Sequence, residues 1–274
     1  MSFRLNTGIA SQQSNLYSNQ NSLNINKSLD ALSSGTKLTQ AANDAASLAI
    51  SDKLLALVAG SGQAIQNSNE SVGLFQVADG GLSGIEDNTQ RIRVLTLQAA
   101  NDTLSADDRA NIQKEIDGLS ESSLDIANST SFNGINLLDG TGGSDGNGTF
   151  VTQTGANSGE TQSTSISDIR SSIPTVDVTT QAGRDAALAD IDSGLNAISN
   201  TRSTIGAAQN SLISNVRNTS VTQINAAAAA SQLRDVDFAQ ESANFSRQNI
   251  LAQTGAFAQA QANSRNSNIT SLLG

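Results

Sequence analysis

Cysteine, histidine and tryptophan are absent from this chain of 274 residues, which has one proline, one tyrosine and only 3 % aromatic residues. The lack of Cys and His removes disulfides, thiol nucleophiles, zinc-finger sites and imidazole acid/base chemistry together. Scarce aromatics exclude a core built on large rings, whereas helix pairs sealed by Ala, Leu, Ile and Val need none. The single proline, Pro174, leaves long helices sterically permitted on either side. Basic residues are also few, with four lysines, a net charge of −10 and a pI near 4.3. Nothing there makes a basic footprint for nucleic acid or a polybasic patch for a membrane surface. No run resembling the ~18 apolar residues of a membrane span is evident, so neither nucleic-acid binding nor membrane insertion is expected. The opening MSFRLNTGIASQQ lacks the apolar core of a cleavable signal peptide, so an extracellular protein would leave by another route.

What is present is a thin apolar repeat at both ends. Ile9, Leu16 and Leu23 are spaced by seven, with Leu5 four before Ile9. Val236, Ala243, Ile250 and Phe257 repeat the spacing near the other end. So narrow a stripe cannot be buried by its own helix and calls for partner helices. Ends that both demand partners point to an assembly subunit and not to an enzyme with a pocket. Glu86-Asp87 and Asp107-Asp108 lie in helical patterns without a converging third ligand, so neither metal nor cofactor is expected. No Gly-rich stretch has phosphate-loop spacing.

Residues 1–35 read as helix, with Gly35 as the stop. Residues 42–100 read as a longer helical stretch containing Val58, Ile65 and Val72, then Ile85, Ile92 and Ala99 one residue out of phase. That ragged stripe predicts a bundle contact, and Gly80-Gly81 and Gly84 weaken the helix locally. Ser105 followed by Asp107-Asp108 reads as a helix start running to about residue 126. Asn133-Gly134 between apolar residues predicts a type I′ hairpin turn. Seven glycines in 140–159 mark loops around the β-prone Phe150–Thr154, and a second hairpin turning within 155–159 is expected. Val176–Thr179 reads as a further short strand. Helix resumes near Arg184, where Ile191, Ile198, Ile205 and Leu212 form one row. The companion row Leu188, Leu195, Arg202, Gln209 and Val216 is breached by Arg202 and Gln209. The expected fold is therefore mainly α, with long helices from both chain halves packed as coiled coil or bundle and small β-hairpins in the middle.

Several strings are similar to bacterial flagellin. They are Leu32-Ser33-Ser34-Gly35, then Ala41-Ala42-Asn43-Asp44-Ala45-Ala46, Gln90-Arg91-Ile92-Arg93-Val94-Leu95 and Phe132-Asn133-Gly134. Later come Arg234-Asp235-Val236-Asp237-Phe238-Ala239, Gln248-Asn249-Ile250-Leu251 and the final Leu272-Leu273. Their order and spacing across the chain carry the resemblance. It implies a short flagellin: residues 1–43 and 231–274 as a terminal coiled-coil layer in the filament core, 44–230 as a helical rod with β-hairpins at about 130–180, and no large outer domain. It implies a homopolymer, the extracellular flagellar filament, whose terminal segments fold on assembly. Assembly would then use Leu5, Ile9, Leu16, Leu23, Val236, Ile250, Phe257, Leu272 and Leu273. The implied partners are the export apparatus and its chaperone, the filament cap, the junction proteins and a Toll-like receptor, with type III export of an uncleaved chain.

By motif match, Gln90, Arg91, Leu95 and Gln98, with Glu115 on the neighbouring helix, would form a surface for subunit contact and receptor recognition. Val94 and Thr96 depart from recognised members, which carry Glu and Ala there. Two other readings stay open from the sequence, a hook–filament junction protein sharing the terminal helices and a secreted adhesin using the β-rich middle.

Overall fold

In the computed structural model the protein is described over residues 7–42 and 44–273, with side chains described at 12–42, 44–264 and 267–268. The described residues form five helices: α1 (Thr7–Ser34), α2 (Ala45–Ala99), α3 (Ala106–Ser129), α4 (Gln181–Arg234) and α5 (Phe238–Leu273). Between α3 and α4 lie β1 (Ser131–Phe132), β2 (Ile135–Asn136), β3 (Thr149–Gln153), β4 (Thr161–Ser165) and a 3-10 turn over Arg170–Ser172. The mainly α fold with small central hairpins is as the sequence suggests. Contacts divide the chain into two units, Met1–Ala56 with Asn225–Gly274, and Leu57–Ile224.

The helix boundaries have local causes. α1 ends where Gly35 enters the left-handed region at φ +71°, with its N–H bonded to the Ala31 carbonyl at 2.9 Å. Asp44 opens α2 by accepting the Ala46 and Ser47 N–H groups. Ser105 and Asp108 form a reciprocal capping box on α3. Asp237 caps α5 through the N–H groups of Ala239 and Gln240. The helix is broken between Arg234 and Phe238. Val236, read as part of the α5 stripe, lies in that break, with its N–H donated to the Gly35 carbonyl.

In the Leu57–Ile224 unit the buried face of α2 runs Ser61, Ser68, Phe75, Leu82, Thr89, Thr96 and Ala64, Ala78, Ile85, Ile92, Ala99. Ser71 fills the missing place, half-buried. This is an unbroken heptad. The apparent phase slip in the sequence comes from polar members that an apolar search does not see. Ser68, Thr89 and Thr96 each donate their hydroxyl to the carbonyl four residues earlier, so they enter the seam without an unmet hydrogen bond. Val58, Ile65 and Val72 lie one position off the seam and are half-buried. α2 is continuous through Gly80, Gly81 and Gly84.

On α4 the row Ile191, Ile198, Ile205 and Leu212 is buried as expected, but its companion row is Ala187, Gly194, Thr201 and Ala208. The residues read as that row, including Arg202, sit on the flank. Arg202 donates to Asp79 at 2.9 Å and to Glu86, both on α2. Arg93–Asp192 at 2.9 Å and Gln223 bonded to the Val58 carbonyl at 3.2 Å fix the same antiparallel pairing of α2 with α4. α3 closes the bundle with Ile112, Ile116, Ser120, Ser123 and Ala127.

The expected strand at Val176–Thr179 does not form. Val176 and Val178 are buried with Ile92, Leu95 and Ile116. Their backbone is held by one side chain, since Gln113 donates to the Val176 carbonyl at 2.8 Å and accepts the Val178 N–H at 2.7 Å. An amide group replaces the neighbouring strand. A second expectation is corrected in α2, which contains a window of 18 residues with mean hydropathy 1.2, long and apolar enough by length and composition alone to cross a membrane.

Candidate functional site

The terminal helices pair in an antiparallel sense, and the pairing is polar. The Asn21 amide donates to the Gln248 carbonyl at 2.8 Å, Ser28 to the Gln248 side chain at 3.2 Å, and Gln259 to Asn15 at 2.9 Å. At the root of the pair Thr36 and Asp235 form an isolated antiparallel bridge. It is closed by Lys37 N–H to the Arg234 carbonyl at 2.8 Å and by the Val236 bond described above. Lys37 Nζ also caps the end of α4 at the Gln232 carbonyl, 2.9 Å away.

The apolar repeat points elsewhere. Leu16 is 68 % exposed and Phe257 79 %, and Leu23 and Ile250 are also exposed. Leu29 is exposed as well, while the exposed Tyr17 and Leu251 border the groove between the two helices. Two sides of each helix are therefore in use, an amide-rich side facing its partner in the chain and an apolar side facing outward. Leu5 lies outside the described residues, as do the side chains of Ile9, Leu272 and Leu273. A groove of about 680 Å³ between the helices is lined by Tyr17, Asn21, Asn24, Leu251 and Gly255 among others.

The second candidate surface lies on α2 and α3. Arg91 reaches Glu115 through two nitrogens, at 2.7 and 3.1 Å, so these two residues form one unit. Both side chains are about half exposed, and such a pair adds little stability while presenting a fixed guanidinium. Gln90 and Gln98 are exposed beside it. Leu95, expected on this surface, is only 2 % exposed and packs in the core with Ile112, Ile116 and Ile191. Leu95, one turn after Arg91, stands at the border between the exposed row of Arg91, Val94 and Gln98 and the buried row of Ile92, Thr96 and Ala99, and turns into the latter. The apolar members of the surface are Val94 and Leu97, both exposed.

Asn133 and Gly134 form the turn between β1 and β2, at φ +51° and +77°. Below that hairpin a polar knot ties the loop down. Asp139 accepts the Thr141 N–H at 2.9 Å, the Thr141 hydroxyl at 2.7 Å and the Asn136 amide at 3.1 Å. Arg170 donates to the Asp139 carbonyl at 2.7 Å and to the Asp168 carboxylate at 3.0 Å. Burial works to raise the Asp139 pKa, but the bonds from Thr141 and Asn136 and the Arg170 charge together hold it below the ordinary value. The Arg170 hydrogen bond lowers Asp168 likewise. On α4, the bonds to Asp79 and then Glu86 raise the pKa of Arg202.

Long antiparallel helices, the terminal pair joined by a polar seam and presenting apolar rows outward, define a helical assembly subunit. Residues 5–142 match the family model for the bacterial flagellin N-terminal helical region, and 188–273 match that for the C-terminal helical region. The chain is 37 % identical to a flagellin of Halalkalibacterium halodurans over 90 % of its length and 91 % of the relative's. It is 35 % identical to a flagellin of Bacillus subtilis over 98 % and 99 %. A crystal structure of Bacillus cereus flagellin superposes with a TM-score of 0.51 at 28 % identity, covering 56 % of this chain and 88 % of that one. The chain belongs to the bacterial flagellin family, and it is a structural subunit of the flagellar filament.

Proposed function

We propose that this chain builds the extracellular filament by burying the outward apolar rows of α1 and α5 against the same helices of neighbouring copies. The observation that carries this is the exposure of Leu16, Leu23, Ile250 and Phe257 while the pairing within the chain is made by amides and hydroxyls. Fully burying one such side chain contributes roughly 1.5–3 kcal/mol, and a polymer repeats that gain in every subunit. Ordering a backbone residue costs about 1–2 kcal/mol, which an amide seam alone does not offset, so the terminal helices fold as they assemble. Residues 1–43 and 231–274 form the inner layer of the filament, and 44–230 a helical rod. Leu5, Ile9, Leu272 and Leu273 take part in the same assembly.

The Arg91–Glu115 pair, with Gln90, Val94, Leu97 and Gln98, forms a contact between subunits, and a Toll-like receptor reads that same surface. Export follows the type III route of the family as an uncleaved chain, with an export chaperone, and the cap and junction proteins bound the filament. Seeded growth tests the central reading. Monomer added to short sonicated filaments is expected to extend them into helical tubes, with a rise in helical circular dichroism. A monomer already fully helical that never extends a seed would overturn it and favour a junction protein or an adhesin.

A further inference from the structure

The sequence contains two Asn-Gly pairs, Asn133-Gly134 and Asn147-Gly148, and the structure treats them oppositely. Asn147 is locked. Its side-chain oxygen accepts the Thr149 N–H at 3.0 Å, the Gly148 N–H is donated to the Gly142 carbonyl at 2.8 Å, and the Gly148 carbonyl accepts the Ile166 N–H at 2.9 Å. Gly148 is buried so closely that a Cβ there would lie 2.3 Å from the Ile166 carbonyl oxygen. Asn133 has none of this. It is exposed at the hairpin tip, its side chain makes no hydrogen bond among the described residues, and a Cβ at Gly134 would meet open space. Its strands pair over only two residues each, and a two-stranded hairpin of that length opens cheaply.

We propose that Asn133-Gly134 is a self-modifying site, where the chain deamidates without an enzyme, and that Asn147-Gly148 is protected from the same reaction. The Gly134 amide nitrogen, having given its proton to water or hydroxide, attacks the Asn133 side-chain carbonyl carbon. A C–N bond forms and closes a succinimide, the bond to the side-chain nitrogen breaks, and that nitrogen takes up a proton and leaves as ammonia. Water then adds to one imide carbonyl and cleaves its C–N bond, giving an aspartyl or an isoaspartyl linkage. No oxidant or reductant takes part. The lack of a side chain at Gly134 leaves the ring free to close, and opening of the short hairpin releases the backbone torsions that the attack requires. The attacking group at Asn147 is instead held in a hydrogen bond.

The product adds a carboxylate at the hairpin tip. In its isoaspartyl form it also inserts a methylene into the main chain, which removes the two-residue turn and the Phe132–Ile135 pairing. Asn133, Phe132 and Ile135 line a groove of about 380 Å³ with Glu70, Leu74 and Val151, so the modification recharges and reshapes that groove.

The test is to age the intact, purified protein in mildly alkaline buffer made with ¹⁸O-water and to map peptides by mass spectrometry. A carboxyl methyltransferase specific for isoaspartate scores the rearranged product. The expected result is labelled product at 133 accumulating at least about tenfold faster than at 147, since each 1.4 kcal/mol of local opening is worth about a factor of ten. In guanidinium the two rates should converge. No product at 133 in the folded protein would overturn the proposal, as would equal rates at the two sites. The same ratio persisting in guanidinium would also overturn it, because the difference would then come from neighbouring sequence and not from the fold.

Discussion

Arg202 shows how a single residue misleads and then informs. In the sequence it reads as a breach in an apolar row, because a heptad search counts charge as a defect. In the structure it lies on the seam's flank, donating to Asp79 and Glu86 on the facing helix. A charged hydrogen bond contributes about 1.5–3 kcal/mol, and partial exposure of all three side chains discounts that. Arg202→Leu is therefore expected to lower the unfolding free energy of the 57–224 unit by about 1–2 kcal/mol. Arg202→Lys should lose less, since an ammonium reaches one carboxylate well but cannot present a two-pronged face to both. Urea unfolding measures this, and an unchanged midpoint for Arg202→Leu would remove the ion pairs from the account. The same scale explains why Leu95 was misplaced. A motif match carries residue identity and not the direction in which the side chain faces.

At the scale of elements, hairpins were the most legible. Asn-Gly demands positive φ at both central residues, and that chemistry needs no tertiary information. Helix α3 was legible through Ser105 and the acids that follow it. Val176–Thr179 was not, because its partner is the Gln113 side chain, a contact between distant positions. The glycines of α2 were only half legible. Gly80 and Gly81 look alike in the sequence, yet a Cβ at Gly80 meets open space while one at Gly81 would lie 2.6 Å from the Thr130 hydroxyl and 3.1 Å from Leu138. Thr130 cannot swing clear cheaply, since its hydroxyl is bonded to the Ile126 carbonyl at 2.6 Å. Adjacent substitutions should then have opposite signs. Gly80→Ala is expected to stabilise by about 0.5–1 kcal/mol through helix propensity. Gly81→Ala is expected to destabilise by about 1–3 kcal/mol through overpacking. Thermal unfolding of the two variants decides it, and two changes of the same sign would contradict the close approach.

On the scale of the whole molecule, the two units should respond differently to acid and to assembly. Asp139 and Asp168 both titrate lower in the folded chain than in the unfolded one. Their stabilisation is thus complete above the unfolded carboxylate value of about 3.9 and is lost as pH falls through the lower folded values. Acid should loosen the knot around Arg170, and Asp139→Asn should flatten the pH dependence of unfolding below about pH 4. A slope equal to that of the parent protein would show that other carboxylates dominate.

The terminal helices present the converse case. Their seam is fixed by Asn21, Ser28, Gln248 and Gln259, which stripe reading passes over. The stripe itself, Leu16, Leu23, Ile250 and Phe257, is left for other copies. Phe257→Asn should therefore leave the unfolding of the 57–224 unit unchanged, because no core residue of that unit is touched. It should raise the monomer concentration at which seeds begin to grow, by about tenfold or more, since losing roughly 1.5–3 kcal/mol of burial per subunit corresponds to at least one decade in association. Gln248→Ala removes the seam hydrogen bond from Ser28, keeps the backbone carbonyl that Asn21 reaches and leaves the apolar row intact, so its effect on growth should be smaller. If Gln248→Ala stops growth while Phe257→Asn does not, the amide seam, and not the outward stripe, holds the polymer together.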